Sequence, residues 1–543
     1  MKLYHKIGLG ACLLASMASC KKSYLQESPP NILVADNLFA NYDGYQNALN
    51  GLYYEVRRSR SGVTTSDPVN DMMFEMNVIG VDNGYGNYVT ANTEGIFNSW
   101  GALNNAGQGY YSKTWAYLYE TINSANTIID RSAASTVLSD AQRNSVQAEA
   151  RCIRAWAYRH LTYLWGDVPL QLHESTGENV RTDYDRTPVA TIHNQMKADW
   201  QFADQYLPVT SSNNGKLIKG VAEHYLAELY LADNKPDSAK IWALKVTTNA
   251  NYKLVTARYG VNATKPGTAF TDMFLDGNSN RSEGNTEALW VLQNELNVVG
   301  GEGNNIMRRY WVNRYYSLTV KGTDNKTTSP FAPSADFGGR GIGRLGPTKW
   351  AFSIYDATDD RGGDFAWRFS YAINTNPPKG YVLGQVVPVD RTATEKVSNP
   401  NYPNTRKWDY TSPLDVNGSQ GYNDQIYLRA GETYLLLAEA DFKTGDLQGA
   451  VDAINALRNR AHATPATLAQ INLDFILDER SRELFTEEDR RYTLLRTGTW
   501  LTRTKAHNAL AGATITTRDQ LLPIPQDVID ANLTKKFPQN PGY

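Results

Sequence analysis

Residues 227–246 read AELYLADNKPDSAKIWALKV, and residues 438–457 read AEADFKTGDLQGAVDAINAL. Both begin with Ala-Glu in a helical run, break over a short polar stretch, and carry an alanine, Ala239 or Ala450, at the same offset in a second run. Small residues at matched positions let two helix axes approach closely, so each stretch reads as a helix–turn–helix pair of the tetratricopeptide type. One such pair cannot cover its own apolar faces. Degenerate copies must stack beside these two, and residues 115–165 are the best candidate. In 147–170, QAEARCIRAWAYRHLTYLWGDVPL, the positions Ala150, Ile153, Ala157, Leu161 and Leu164 share one helical face, with Gly166 and Pro169 ending the helix.

Working outward, Asp36 is placed to cap a helix running to about Glu55. Residues 60–112 are rich in Gly, Asn, Ser and Tyr without a sustained helical period and read as loops and turns. Between 256 and 425 lie 19 of the 41 glycines and 10 of the 22 prolines, so irregular structure should dominate there, with short strands at 288–292 and 381–387. Helical pattern returns at 430–460 and 473–501, before a proline-punctuated tail. Trp115, Trp156, Trp165, Trp200 and Trp242 fall in helical pattern and belong to the core, whereas Trp350, Trp367 and Trp408 stay unassigned.

The chain has 543 residues, with 54 Lys+Arg against 56 Asp+Glu and a formal net charge of −2. It lacks the long-range positive field that a nucleic-acid binder uses. Lys2 and Lys6 precede an apolar run, Ile7 to Met17, that is shorter than the ~20 residues of a membrane helix. This reads as a secretory signal. Met17-Ala18-Ser19-Cys20 places small residues directly before a cysteine and is similar to a bacterial lipoprotein signal, with Cys20 the lipidated residue. Cys152 would then be the one free thiol, so stability must come from packing and not from a disulfide.

Several further stretches add to this. They are Tyr163-Leu164-Trp165-Gly166-Asp167-Val168-Pro169-Leu170, GKLIKGVAEHYLAELYLA at 215–232, YLRAGETYLLLAEA at 427–440, ILDERSRELFTEEDRRYTLLRTG at 476–498, and LPIPQDVIDANLTKKFPQNPGY at 522–543. In this order, with the cysteine start, the chain resembles the SusD/RagB family of outer-membrane nutrient-binding lipoproteins over nearly its whole length. The resemblance implies a mainly α fold, with a tetratricopeptide-like scaffold of helix pairs and a large loop-rich ligand-binding region. It also implies a non-catalytic, surface-exposed binder of oligosaccharides, anchored by lipid in the outer membrane and seated over a SusC-like TonB-dependent transporter. No cofactor follows, and a structural Ca2+ in a loop stays open. The expected division is a signal at 1–19, a lipidated tether at 20–36, an N-terminal helical part at 37–255 with the loop insert 60–112, a ligand-binding region at 256–425, and a C-terminal helical part at 426–543.

A sugar presents flat C–H faces beside hydroxyls, so a glycan site needs aromatic planes next to amides or charges. Two regions offer both. The first, 77–111, carries Asp82, Asn83, Tyr85, Tyr88 and Trp100; the second, 302–316, carries Arg308, Tyr310, Trp311 and Tyr315. These nine are the expected ligand-binding residues. In 476–498 the spacings Asp478/Arg482 and Glu487/Arg491 suggest intrahelical pairs worth about 0.2–0.5 kcal/mol each. Glu487-Glu488-Asp489 points in several directions along a helix and does not by itself set two carboxylates across one glycosidic bond. The histidines lack metal-ligand spacing, no G-x-S-x-G elbow is present, and the glycine cluster at 338–343 lacks the Lys-Ser/Thr of a phosphate loop. A peptide ligand, a glycoside hydrolase and a pure interaction scaffold are the competing readings.

Overall fold

The computed structural model describes residues 38–60, 68–87, 93–177, 179, 181–295, 298, 306–409, 416–418 and 421–543. Cys20, Asp36 and Tyr88 lie outside the described residues. The first helix, α1, spans Tyr42–Arg58 and is capped by Asn41, whose side chain accepts from the Gly44 amide at 3.0 Å. The 60–112 stretch differs from its reading as loops. It contains α2 (Pro68–Val78), the short strand β1 (Gly84–Gly86) and α3 (Thr93–Ser99). The reason is burial: Met73, Phe74, Glu75, Met76 and Asn77 of α2 are all inside, and a helix enclosed on every side has no polar stripe to give it a period.

The scaffold follows. Helices α4 (Gly109–Ala133), α5 (Asp140–Trp165), α6 (Val189–Tyr206), α7 (Lys219–Ala232) and α8 (Pro236–Thr247) each pack on the next. Helix α5 starts on a capping box of Ser139 and Gln142 and ends at Gly166, whose φ of 74° a side chain would resist. All five positions read onto its apolar face are fully buried. Short helices α9 (Ala269–Asp272), α10 (Met307–Trp311) and α11 (Lys349–Ser353) punctuate the irregular middle. Then α12 (Ala430–Thr444) packs on α8, and α13 (Leu447–Arg460) packs on α12. At that joint Ala227, Ala239, Ala243, Ala438, Ala450 and Ala453 form one buried cluster, so the two repeats recognised in sequence stack through their alanines. This is a tetratricopeptide-like α-solenoid, and the chain is mainly α.

Five two-stranded antiparallel ribbons replace any large sheet among the described residues. The longest pairs β2 (Ala288–Leu292) with β10 (Gln425–Arg429), joining the two ends of the irregular region. The others are β1 with β5 (Leu345–Pro347), β3 (Val320–Lys321) with β4 (Thr327–Thr328), β6 (Trp367–Arg368) with β9 (Asn404–Thr405), and β7 (Ser370–Ala372) with β8 (Val386–Pro388). The expected strand at 381–387 is thus confined to its end. One core cluster runs from Tyr45 to Phe537 and takes in Trp367 and Trp408.

The expected helix at 473–501 is broken into α14 (Leu473–Leu484), α15 (Arg490–Arg496) and α16 (Trp500–His507); a last helix, α17, spans Gln526–Ala531. Thr486 stands at φ 71° in the first break. The freed carbonyls of Glu483 and Phe485 accept from the Lys407 ammonium at 2.9 and 3.1 Å. The intrahelical pairs expected here do not form. Asp478 instead binds Arg503, Glu487 binds Arg429 and Lys407, and Arg482 binds Glu479. Arg491 donates to the Asp519 carbonyl and lies over the rings of Trp100 and Trp500. Burial explains the change: desolvated charges need several partners, and most of those come from distant elements. Glu483 alone meets Arg361, Arg429 and Arg460, which ties the C-terminal helices to the irregular region.

Candidate functional site

The two regions nominated in sequence do meet. Trp311 lies against Gly84, where an added Cβ would stand 3.9 Å from the indole, and Phe74, just ahead of the first region, stacks on Tyr310 at 5.8 Å with Trp311 edge-on to it at 6.4 Å. Their rings, however, face inward. Trp100 and Trp311 are each 1% exposed, and Tyr85, Tyr310 and Tyr315 are fully buried. Trp100 is wedged between Trp500 and Phe97, Trp311 rests on Phe485, and Tyr315 stacks on Tyr371. The Tyr315 hydroxyl donates to the Gly339 carbonyl, and burial pushes it up to about 12. No face of these rings is open to a sugar in this conformation.

The polar nominees are likewise structural. Asp82 is fully buried between Arg490, at 2.8 and 2.6 Å, and Arg503, at 2.8 Å. Burial alone would raise its carboxyl, but the two guanidinium groups outweigh it and hold the group at about 2. The Asn83 amide donates to Ser481, and the buried Arg308 donates to the Gly418 carbonyl. The sequence could not separate these residues from surface ones, because Gly- and Asn-rich flanks mark irregular backbone and not exposure. Where the two regions join, Asn87, Asn313, Arg314, Ser317, Ser398 and Asn399 line a cleft of about 190 Å³. Its buried amides are spent on loop carbonyls: Asn87 on Gly343, and Asn313 on Pro400 and Tyr402.

A larger cleft, about 510 Å³, lies wholly among residues 258–409, inside the region whose glycine and proline content marked it as loop-rich. That volume suits a small-molecule or oligosaccharide segment. Phe270 and Phe274, edge-to-face at 5.4 Å on and after α9, form part of its wall. The β6–β9 ribbon supplies another part. Its register sets Arg368 opposite Asn404, and two residues on, Arg406 emerges beside Arg368. The turn that follows brings Asp409 back so that one oxygen, Oδ2, accepts from both guanidinium groups. Lys407 lines the same wall, but its ammonium is turned to the broken helix and to Glu487, and burial draws it down to about 8.

At the mouth stands Phe365, 41% exposed and the most open Phe, Tyr or Trp among the described residues. It follows the tight turn Gly362-Gly363-Asp364, where the Ala366 and Trp367 amides bond back to the Gly363 carbonyl, and no ring among the described residues stacks on it. Arg258, paired with Asp272 at 2.6 Å, and the exposed Lys265 complete the rim. An open aromatic plane beside hydrogen-bond donors is the arrangement sought in the sequence, supplied here by Phe365, Arg368 and Arg406, which that reading missed. The one signal available was an aromatic directly after Gly-Gly-Asp in the loop-rich region. Among the described residues no group of three His, Cys, Asp or Glu side chains is placed to hold a metal ion.

Two family models match this chain: one described as the SusD family over residues 286–543, the other as "Starch-binding associating with outer membrane" over residues 46–231. The chain belongs to the SusD/RagB family. The SusD-like protein P2 of Formosa agariphila is 24% identical over 546 residues, with 98% of both chains covered. A solved SusD homologue from Bacteroides thetaiotaomicron superposes with a TM-score of 0.71 at 19% identity, covering 94% of this chain and 98% of the other. A structure described as a laminarin-binding SusD-like protein gives 0.67 at 19% identity, covering 93% and 100%.

Proposed function

We propose that this protein is a lipid-anchored, surface-exposed outer-membrane receptor that captures an oligosaccharide without cleaving it and passes it to a SusC-like TonB-dependent transporter. The observation that carries the reading is the exposed Phe365 ring beside the Arg368–Arg406 pair, in a cleft of oligosaccharide size, on a chain of this family. A sugar ring stacks its C–H face on Phe365 while its hydroxyls meet guanidinium donors. A single exposed plane and a few hydrogen bonds give modest affinity, which suits capture followed by release. The name of the laminarin-binding relative, and the starch-binding description of the N-terminal family model, support a glycan over a peptide. The non-catalytic reading is supported by the buried Glu487 and Glu488 and the largely enclosed Asp489, each held by guanidinium groups away from the cleft. The lipid on Cys20 rests on the sequence pattern alone.

The test is affinity electrophoresis of the mature protein through gels containing single polysaccharides, with Phe365→Ala beside the wild type. At least one polysaccharide should retard the wild type, and the variant should run about as fast as in an empty gel. A retarded protein that is unaffected by Phe365→Ala refutes the site, and release of new reducing ends from the bound polysaccharide refutes the non-catalytic role.

A further inference from the structure

We infer that the glycan held in the Phe365 cleft carries acidic groups, carboxylate or sulfate. This rests on the proposed site and adds the chemical class of its ligand. Four cations face the cleft: Arg258, Lys265, Arg368 and Arg406. Lys407 does not count with them, because its ammonium is spent on Glu487 and two carbonyls on the far side of the wall. Against the four stand Asp272, Asp336 and Asp409. Asp272 is taken by Arg258. Asp409 is divided between two guanidinium groups, and the Asp364 carboxylate acts on Arg406 without a direct ion pair to it, so the Arg368–Arg406 pair shares a single bonded carboxylate.

Donor accounting points the same way. Arg368 uses Nη2 on Asp409 and on the Asp336 carbonyl; Arg406 uses Nε on Asp409 and Nη1 on the Asp364 carbonyl. Arg368 Nη1 and Arg406 Nη2 donate to no described residue, and neither does the Lys265 ammonium. Side-chain exposure of Arg368 is 10%, so water has little access to screen it. A planar anion is the natural partner of adjacent, under-used guanidinium forks, because it accepts two N–H bonds and supplies the missing charge together. Burial and the neighbouring Arg368 charge both pull Arg406 below its usual range, and the charge of a bound anion would offset them. Phe365 at the mouth then stacks the ring whose acid substituent reaches the pair. The remaining acid, Asp336, is exposed at the rim and restricts where that substituent enters.

The test is calorimetric titration of the mature protein with three oligosaccharides of equal length: a neutral β-glucan fragment, an oligogalacturonate and a carrageenan fragment. Salt is set at roughly 20 and 200 mM NaCl, on either side of a Debye length of about 10 Å. One or both acidic probes should bind about tenfold tighter than the neutral one, a difference that shrinks in the higher salt. Arg406→Gln should abolish that preference, and Lys265→Gln, at an exposed position, should reduce it. Which acidic probe is preferred separates carboxylate from sulfate recognition. Neutral binding that equals or exceeds acidic binding, or a preference that survives both variants, overturns the inference. If Phe365→Ala weakens all three probes while the charge variants change nothing, the site stands and the acidic ligand falls. If Phe365→Ala changes nothing, the site itself falls.

Discussion

Replacing Glu487 with Gln removes one charge from the junction that holds the large cleft against the C-terminal helices. Glu487 Oε2 accepts from Arg429 Nε at 2.6 Å, and Oε1 accepts from Arg429 Nη2 at 2.9 Å and from the Lys407 ammonium. A Gln amide retains one acceptor and turns an N–H group toward a cation. Arg429 keeps Glu287 and Glu483, so the loss sits at the low end of a broken buried pair, about 3 kcal/mol. At ~2.1 cal/mol/K per residue over roughly 500 residues, 1 kcal/mol corresponds to about 1 °C, so Tm should fall by ~3 °C. The pH dependence identifies the cause. Lys407 titrates at about 8 in the folded protein, against 10.5 ordinarily. The unfolded chain therefore binds more protons between those values, and wild-type stability from this group rises with pH across that window, with the full burial cost present below it. Above pH 8 the wild-type Lys407–Glu487 attraction fades, so the variant's deficit should be larger at pH 6.5 than at pH 9.5. Differential scanning fluorimetry and urea midpoints at the two pH values measure this. Equal stability of variant and wild type at both would refute the anchoring role of Glu487.

Trp311→Ala should cost about 3–5 kcal/mol of stability, as loss of a buried indole does, while the folded variant retains its glycan affinity; urea midpoints and affinity gels check the two halves. Asp82 and Glu439 are both held at about 2 by guanidinium or ammonium neighbours that outweigh burial, so their stabilisation is present above their unfolded values near 4 and lost as pH falls toward 2. Tm measured from pH 5 to pH 2 should fall steeply in the wild type and less steeply in Asp82→Asn. Gly341→Ala places a Cβ 1.9 Å from the Val312 carbonyl oxygen and should destabilise by about 1–3 kcal/mol, whereas Gly51→Ala, exposed in α1 with nothing within 4 Å, should stabilise by about 0.5–1 kcal/mol; thermal melts of the pair compare a closed and an open position.

The scaffold was legible from sequence because its determinants are local. Ala227 and Ala239 recur as Ala438 and Ala450, the apolar positions of 147–170 follow the helical step, and Gly166 stops that helix, all within spans of a few turns. The composition shift after residue 256 also marked where the larger cleft would form. Which aromatic rings face solvent was not legible. Trp100 and Trp311 sit in the same Gly- and Asn-rich surroundings as an exposed ring would, yet Trp500, Phe485 and Phe74 cover them from segments up to about four hundred positions away. The acidic and basic run at 476–498 failed for the same reason. Local spacing offered pairs worth tenths of a kcal/mol, and burial against Arg429, Lys407 and Asp82 imposed stronger ones. Periodicity along a chain specifies which face of a helix is apolar; exposure and ion pairing depend on what arrives from elsewhere, and only the packed chain decides that.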